Sequence, residues 1–455
     1  MPGAGSKVIV IGGGISGLSA AYDLTRAGAD CTILEQQPRA GGVIETRVAD
    51  GCTLECGPDS FLAAKPAAVA LIKELGLGGD VIGSNDHQRT TYIWKHGKLV
   101  ALPEGVMMIV PSRVMPMVKT PLLGWSTKIR MGLEYFRRPG ESRDRSVSEF
   151  VADHFGQETV DYLAEPLLSG VYGGDPARMS VGAVLPRFLQ MEAKYGSLVR
   201  GVLAGLGKGG PSGPLFQTLK SGLGALVDAL ASRVRITQAH AETIERSGNG
   251  FRLRADGNWM EADQVILACP AWAAAGLAAG LDSRLSELLA AIDYSSSLTL
   301  SLVYRAADFD GRRAGFGFLV PRIERERLAA CTFVGTKFSH RVPDGRIVLR
   351  CFLGGIGDPG ILDESDENVV KIAREELRRV LGLTAAPVSH VIARWPRSMA
   401  QYNLGHIQRV EEIRRRVKEI AGLHLAGNAY EGIGIPDCIQ TGRAAAKAAQ
   451  LTFAS

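Results

Sequence analysis

At 455 residues, 46% hydrophobic and 22% charged, the chain has the composition of a soluble globular protein large enough for two or more domains. A net charge of +5, from 52 lysines and arginines against 47 acids, is too mild to indicate a nucleic-acid partner. Seven cysteines scattered at 31, 52, 56, 269, 331, 351 and 438 make no disulfide framework, and Cys52-x-x-x-Cys56 has no second pair for a zinc site, so no metal is expected and a reducing cytoplasm fits.

The chain opens with Val8 to Ile11, a β-branched apolar run suited to a buried parallel strand, and Gly12-Gly13-Gly14 follow at once. Ile15 to Gly28 carries Leu18, Ala21 and Leu24 at helical spacing, so the turn leads into a helix whose free amides face the place of a pyrophosphate. Gly14 lets phosphate approach, and Gly17 lets helix and strand pack closely. A second strand, Cys31 to Leu34, ends at Glu35, 23 residues past Gly12, where a carboxylate can accept both ribose hydroxyls and disfavours a 2′-phosphate. Arg39-Ala40-Gly41-Gly42 adds a basic residue and a second glycine pair, which suits FAD rather than NAD because the flavin lies farther along. In a chain with 55 glycines a glycine turn alone is weak evidence; strand, helix and acid in this order carry the assignment.

Residues 1–85 form the first dinucleotide-binding unit, ending in a helix from Lys65 to Leu75. Residues 86–106 start a second domain, with Thr91 to Leu102 alternating like an exposed hairpin around His96-Gly97. From Met107 to Arg138 the character changes: Met107, Met108, Met115, Met117, Trp125 and Tyr135 accompany Arg113, Lys119, Lys128, Arg130, Arg137 and Arg138 against one acid, Glu134. This mixture suits a peripheral membrane surface, and equally an adaptable pocket wall or a solvated face. Helices at Ser148 to Tyr162 and Val181 to Leu198, separated by a turn from Gly170 to Asp175, complete a helical unit over 107–205. Six glycines between residues 201 and 213 mark a linker.

Residues 206–290 return to the dinucleotide domain, with strands at Val234 to Thr237, Phe251 to Ala255 and Gln264 to Ala268 and a hairpin turn at Gly248-Asn249-Gly250. Alternating strands at Leu298 to Tyr304, Ile347 to Leu353 and His390 to Arg394, with a charged helix from Glu367 to Leu381, make a mixed sheet over 291–415. Residues 416–455 hold a strand from Leu423 to Gly427, then Gly432-Ile433-Gly434-Ile435-Pro436-Asp437 and a final helix to Leu451. The longest uncharged run, Val265 to Leu281, falls short of the roughly 20 residues that span a bilayer.

The glycines from Gly432 allow close backbone approach to a ring, and Pro436 sits in the first turn of the last helix. A helix N-terminus beside the flavin pyrimidine edge would favour the anionic reduced state. With both ends of the chain so marked, it resembles the oxygen-dependent protoporphyrinogen or coproporphyrinogen oxidases of haem synthesis, within the FAD-containing amine oxidase fold group. The similar segments span nearly the whole length: Gly57-Pro58-Asp59-Ser60-Phe61, Glu165 to Asp175, Gly315 to Pro321, Leu353-Gly354-Gly355, and Arg394-Trp395-Pro396 through Gln401-Tyr402 to Gly405-His406.

The resemblance implies an α/β protein with an FAD-binding dinucleotide (Rossmann-like) domain, a mixed-sheet substrate domain and an inserted helical, membrane-associated domain. It also implies six-electron oxidation of a porphyrinogen in three flavin turnovers, with oxygen as acceptor and hydrogen peroxide as by-product. Handover to the next haem-pathway enzyme, and a place in the cytoplasm or on the cytoplasmic membrane face, follow from it. The cofactor would be held by Gly12, Gly14, Gly17, Glu35, Arg39, Gly42, Gly57, Gly427, Gly434, Ile435 and Pro436. By motif match, Phe316, Leu319 and Phe352 fall where the family clamps the macrocycle, and Gly170 where bare backbone approaches it; read as residues alone, these are equally core positions and a turn. No catalytic side chain is assigned, since holding a flat ring over the flavin outweighs acid–base chemistry.

Part of the family has an arginine where this chain has Thr91, which leaves Arg89, Lys95 and Lys98 as alternatives for the substrate carboxylates, and Arg89 is taken. Protoporphyrinogen IX stands slightly ahead of coproporphyrinogen III, because the basic, methionine-rich segment suits the more lipophilic substrate. Two other readings stay open: an amine oxidase or carotenoid desaturase of the same fold, the former calling for paired aromatics facing the flavin, and a non-catalytic lipid or prenyl escort, which needs no intact C-terminal flavin edge.

Overall fold

The computed structural model describes residues 6–107, 109–140, 143–206, 213–309 and 314–452. Five parallel strands form the first sheet, in the order Arg235–Gln238, Asp30–Glu35, Lys7–Ile11, Gln264–Leu267 and Leu423–Leu425. Alternation along the first strand explains why the run is apolar throughout: Val8 and Val10 pack with Leu18, Leu24, Ile439 and Ala446 on one face, while Ile9 and Ile11 meet Val265, Leu267, Ala274 and Ala278 on the other. The helices Ile15–Arg26 and Ile435–Thr452 share the first of these faces. They come very close, since a Cβ on Gly442 would lie 2.1 Å from the Ser16 carbonyl oxygen.

The second sheet has seven strands, ordered Ser389–Ala400, Tyr294–Arg305, Arg346–Gly354, Leu328–Phe333, Gly317–Leu319, Thr91–Lys95 and Lys98–Ala101. Its pairs are antiparallel except Gly317–Leu319 with Thr91–Lys95, which makes the sheet mixed as expected. That parallel pair corrects the hairpin expectation: Ile93 and Trp94 are buried, because the hairpin closes the sheet edge instead of projecting from it. The outer strand also continues to Ala400 through Pro396, which an edge strand with a register shift opposite Ser295 and Ser297 tolerates. The charged helix Asp366–Leu381 covers one face through Val369, Ala373, Leu377 and Val380.

The helical region differs most from expectation. Gly156, at φ +89°, ends the helix Val147–Phe155, so Ser148 to Tyr162 is not one helix. The expected turn at Gly170 is instead the helix Glu165–Tyr172, and its left-handed cap is Gly173. Leu185-Pro186 and Gly196 divide the next stretch into Val181–Val184, Pro186–Tyr195 and Leu198–Leu206. The last of these takes up the start of the glycine-rich linker, whose residues 207–212 lie outside the described residues.

Candidate functional site

A cavity of about 3370 Å³ is walled by the ends of the parallel strands, the inner face of the mixed sheet and the helices Glu165–Tyr172 and Pro186–Tyr195. Its nucleotide end is built from bare backbone. Gly12 has φ +107°, and a Cβ there would sit 2.8 Å from the Ala268 carbonyl oxygen. Gly17 has no room either, with the Gly12 oxygen 2.0 Å from its would-be Cβ. Gly14 has nothing within 4 Å on that side, so its backbone faces open cavity. The helix it opens has no side-chain cap, which leaves its first amides for an anion.

Glu35 is buried at the end of its strand; its Oε2 accepts from the Gly13 amide at 2.7 Å and its Oε1 from the Gln37 amide at 2.8 Å. Both oxygens are thereby aimed, with lone pairs remaining for ribose hydroxyls. Arg39 serves the loop: it donates to the carbonyls of Ala40 and Ile44 at 3.1 and 3.0 Å and to that of Gly42. Gly41 donates to the Gly13 oxygen at 2.8 Å, locking the second glycine pair against the first. Gly57 permits a backbone crossing, its would-be Cβ lying 1.7 Å from the Val43 oxygen.

At the C-terminal turn, Gly427 has φ +130° and nothing within 4 Å, so it too presents bare backbone to the cavity. Gly432 and Gly434 make room for Asp437, whose side chain would meet their Cβ atoms at 2.7 and 3.0 Å. Ile435 and Pro436 line the same wall. Asp437 alone would cancel the positive end of the last helix, but Lys65 binds both its oxygens at 2.7 Å and restores the balance. Tyr402 braces this turn by accepting from the Gly432 amide at 2.7 Å and donating to the Asn428 carbonyl at 2.8 Å. His406 stacks on Tyr402 with centroids 4.0 Å apart.

The substrate residues inferred from the resemblance come together around the other half of the cavity. Phe316, Leu319, Phe352, Gly170 and Arg89 all line it, and a Cβ on Gly170 would stand 3.7 Å from Leu319. Strict alternation would send Phe316 and Phe318 to one face. Gly315 and Gly317, at φ +128° and +139°, break it, so Phe318 stays in the core while Phe316 reaches the cavity. Lys95 is removed from the alternatives for carboxylates, because it donates to Glu158 at 2.9 Å and to the Leu122 carbonyl at 2.7 Å. Lys98 does not line the cavity.

The residue pattern did not reveal the charged floor. Lys337 and Arg350 flank Asp59 at 2.8 and 3.8 Å, and Arg341 pairs with Glu55 at 2.7 Å. Burial pushes the Asp59 carboxyl up, but the two cations outweigh it and hold it below the ordinary carboxylate range. Arg350 also donates to the Gly57 carbonyl and lies 4.7 Å over the Phe352 ring, so it joins the Gly57 loop to the Phe352 strand. These partners are up to 293 residues apart in sequence, and no local signal links them. Other cavity groups are held neutral near pH 7: burial pushes the Cys269, Cys438 and Tyr172 pKa values up to about 12 and brings His406 down to about 4. Among the described residues, no cluster of three histidine, cysteine or acidic side chains could hold a metal.

Bare glycines at both ends of one cavity, a buried acid aimed by two amides and an uncapped helix start fit FAD, and with the fold they define a flavoprotein of the amine oxidase type. Residues 15–450 match the family described as flavin containing amine oxidoreductase, and the chain belongs to that family. A coproporphyrinogen III oxidase of Bacillus subtilis is 34% identical over 96% of both chains, and one of Staphylococcus aureus is 30% identical over 97% of this chain and 98% of that one. A chloroplastic protoporphyrinogen oxidase of Oryza sativa is 27% identical, covering 96% of this chain and 87% of that one. A solved Exiguobacterium structure, 31% identical, superposes with a TM-score of 0.88 over 98% of this chain and 99% of that one. Cyclohexylamine oxidase of Brevibacterium oxydans shares the fold at 16% identity, with a TM-score of 0.72 over 99% of this chain and 100% of that one.

Proposed function

We propose that the protein oxidises a porphyrinogen to the porphyrin in haem biosynthesis, using FAD with oxygen as final acceptor and hydrogen peroxide as by-product. The observation that carries this reading is the single cavity, which runs from the FAD-type glycine loop to an apolar slot between Gly170 and the Phe316, Leu319 and Phe352 wall. Bound FAD supplies a two-electron acceptor, so loss of six electrons from a porphyrinogen takes three rounds per product. The chain's own part is to hold a flat macrocycle and exclude water with apolar side chains. The neutral pKa-shifted groups agree with chemistry governed by positioning.

Between the two candidate substrates we favour coproporphyrinogen III, reversing the lean taken from the basic segment, because several relatives with that name align over nearly their whole length at 30–34% identity. Amine oxidation is less well served. Tyr172 and Tyr402 line the cavity with centroids 6.1 Å apart, but their planes are tilted by 58° and His406 covers one Tyr402 face. The intact Gly432 to Asp437 turn weighs against an escort protein. The deciding experiment measures oxygen-dependent fluorescence gain with coproporphyrinogen III and protoporphyrinogen IX; inactivity toward both would sink the proposal.

The helices Val114–Lys119 and Trp125–Glu134 support a peripheral membrane contact. Their inner faces bury Met117 and Met131, while Val114, Met115, Trp125, Ile129 and Leu133 are exposed, with Phe136 beyond them and Lys119, Arg130 and Arg138 alongside. Ser112 and Arg113 line the cavity whereas Met115 and Met117 do not, so the methionines of these two helices are not pocket wall. Exposed apolar side chains bordered by cations complement an anionic bilayer surface. No helix among the described residues is long and apolar enough to cross a membrane. Pelleting with anionic liposomes should be clear at low salt and fall with Trp125→Glu plus Ile129→Glu, whereas absence of pelleting in the unmodified protein would rule the contact out. The three-part division inferred from the sequence is proposed with it, this helical part lying between segments of the other two.

A further inference from the structure

Two walls of the cavity are fastened to one short stretch of chain. Gln401 and Tyr402, just past the strand Ser389–Ala400, are 1% and 2% exposed, and their side chains reach different walls. Gln401 ties the helix Glu165–Tyr172: its Nε2 donates to the Tyr172 carbonyl at 2.8 Å and to Ser295 Oγ at 3.0 Å. Tyr172 ends the helix that carries Gly170, so its carbonyl is one of those a helix leaves without an internal partner. The next carbonyl, that of Gly173, accepts from the Ile356 amide at 3.0 Å, just past the strand Arg346–Gly354 that carries Phe352. Gly174 must lack a side chain, since a Cβ there would collide with Gln401 Oε1.

Tyr402 ties the other wall, the C-terminal glycine turn. Its hydroxyl accepts from the Gly432 amide at 2.7 Å and donates to the Asn428 carbonyl at 2.8 Å, and Asn428 is held again where its side chain donates to the Ser398 carbonyl at 3.0 Å. The Tyr402 ring is fixed from behind by His406, stacked at 4.0 Å with planes 14° apart. Its backbone carbonyl accepts from the Ser180 amide at 2.8 Å, which anchors the same stretch to the inserted helical region. Two adjacent buried residues thus bind the helix that bears the substrate slot and the turn assigned to the flavin edge.

We propose that Gln401 and Tyr402 are positioning residues that together set the gap between the C-terminal glycine turn and the Gly170 slot, Gln401 acting through the Tyr172 carbonyl and Tyr402 through the Gly432 and Asn428 backbone. The inference rests on the porphyrinogen reading above. Where positioning governs the chemistry, a misplacement of about 1 Å costs about 100-fold in rate, and the same gap has to serve three successive rounds on one macrocycle. Gln401 does not line the cavity, so its influence on a bound flavin passes through the Tyr402 tie. Because both residues hold a single gap, their losses should not multiply.

The test compares Gln401→Met, Tyr402→Phe and the double variant with the unmodified holoenzyme by FAD content, visible flavin spectrum, thermal midpoint and anaerobic flavin reduction at varied coproporphyrinogen III. Each single variant is expected to keep its FAD, to shift the flavin bands and to slow reduction about tenfold at an unchanged half-saturating concentration. The double variant should be little slower than the slower single one. A normal spectrum and reduction rate in Gln401→Met, whatever its thermal midpoint, would overturn the proposal by leaving that residue a purely structural role; so would single losses that multiply in the pair. Should Tyr402→Phe lose FAD, Gln401→Met alone decides by the same two readouts, and should Gln401→Met not fold, the shorter Gln401→Asn is read in its place. If the unmodified enzyme is reduced by neither coproporphyrinogen III nor protoporphyrinogen IX, the porphyrinogen reading fails on its own, and the flavin spectrum of Gln401→Met still decides the tie: shifted bands support it, unshifted bands overturn it.

Discussion

Gly170 shows how much one missing side chain can decide. It lies within the helix Glu165–Tyr172, where glycine costs about 1 kcal/mol relative to alanine, yet a Cβ on it would stand 3.7 Å from Leu319 across the proposed substrate slot. Replacing it with leucine should leave the helix at least as stable and fill the slot. We therefore expect Gly170→Leu to lower kcat/KM by at least about tenfold with FAD content unchanged, and Gly170→Ala to fall between, as read by porphyrin fluorescence and the flavin spectrum. Loss of flavin would show that the residue serves folding. At this scale the sequence was legible where one short segment does the work: Gly12, Gly14, Gly17 and Glu35 are where their spacing put them. It was silent on Lys65 with Asp437 and on Arg350 with Gly57, since those partners meet only after the chain has crossed the molecule.

Elements were legible in proportion to how far local pattern decides them. The buried parallel strands and the charged helix Asp366–Leu381 emerged with nearly the expected bounds, because burial on both faces or a strong amphipathic stripe fixes them. The helical region did not, because positive-φ glycines and Pro186 cut helices that apolar spacing would continue, while Gly170 was taken for a stop inside one. Helix against helix gives the sharpest test. The Gly442 backbone approaches Ser16, so Gly442→Ala forces Ile15–Arg26 and Ile435–Thr452 apart. Overpacking of this kind costs about 1–3 kcal/mol, and because these helices follow the two glycine turns proposed to hold FAD, thermal midpoint and bound FAD should fall together. A lower midpoint with full FAD retention would mean that the cradle does not depend on this contact.

Across the whole molecule, the parallel sheet is assembled from strands at both ends and the middle of the chain, so its stability reports on every segment at once. Two histidines tie that stability to pH. His406 is stacked on Tyr402 in the cavity wall, and His424 shares its Nε2 with the Gln264 side chain at 2.7 Å inside the sheet; burial brings each to about 4. In the unfolded chain both would titrate near 6.5. Above that value neither state binds the protons and these groups make no difference. Between about 6.5 and 4 the unfolded chain takes up protons that the folded one refuses, so stability falls with falling pH by about 1.4 kcal/mol per unit for each histidine. Below about 4 both states are protonated and the loss levels off. Denaturant unfolding from pH 7.5 to 4.5 should show this decline, and His424→Gln should flatten it by about half while keeping a partner for Gln264. An unaltered slope in that variant would show that the sheet accommodates a charged His424, and would leave the decline to His406.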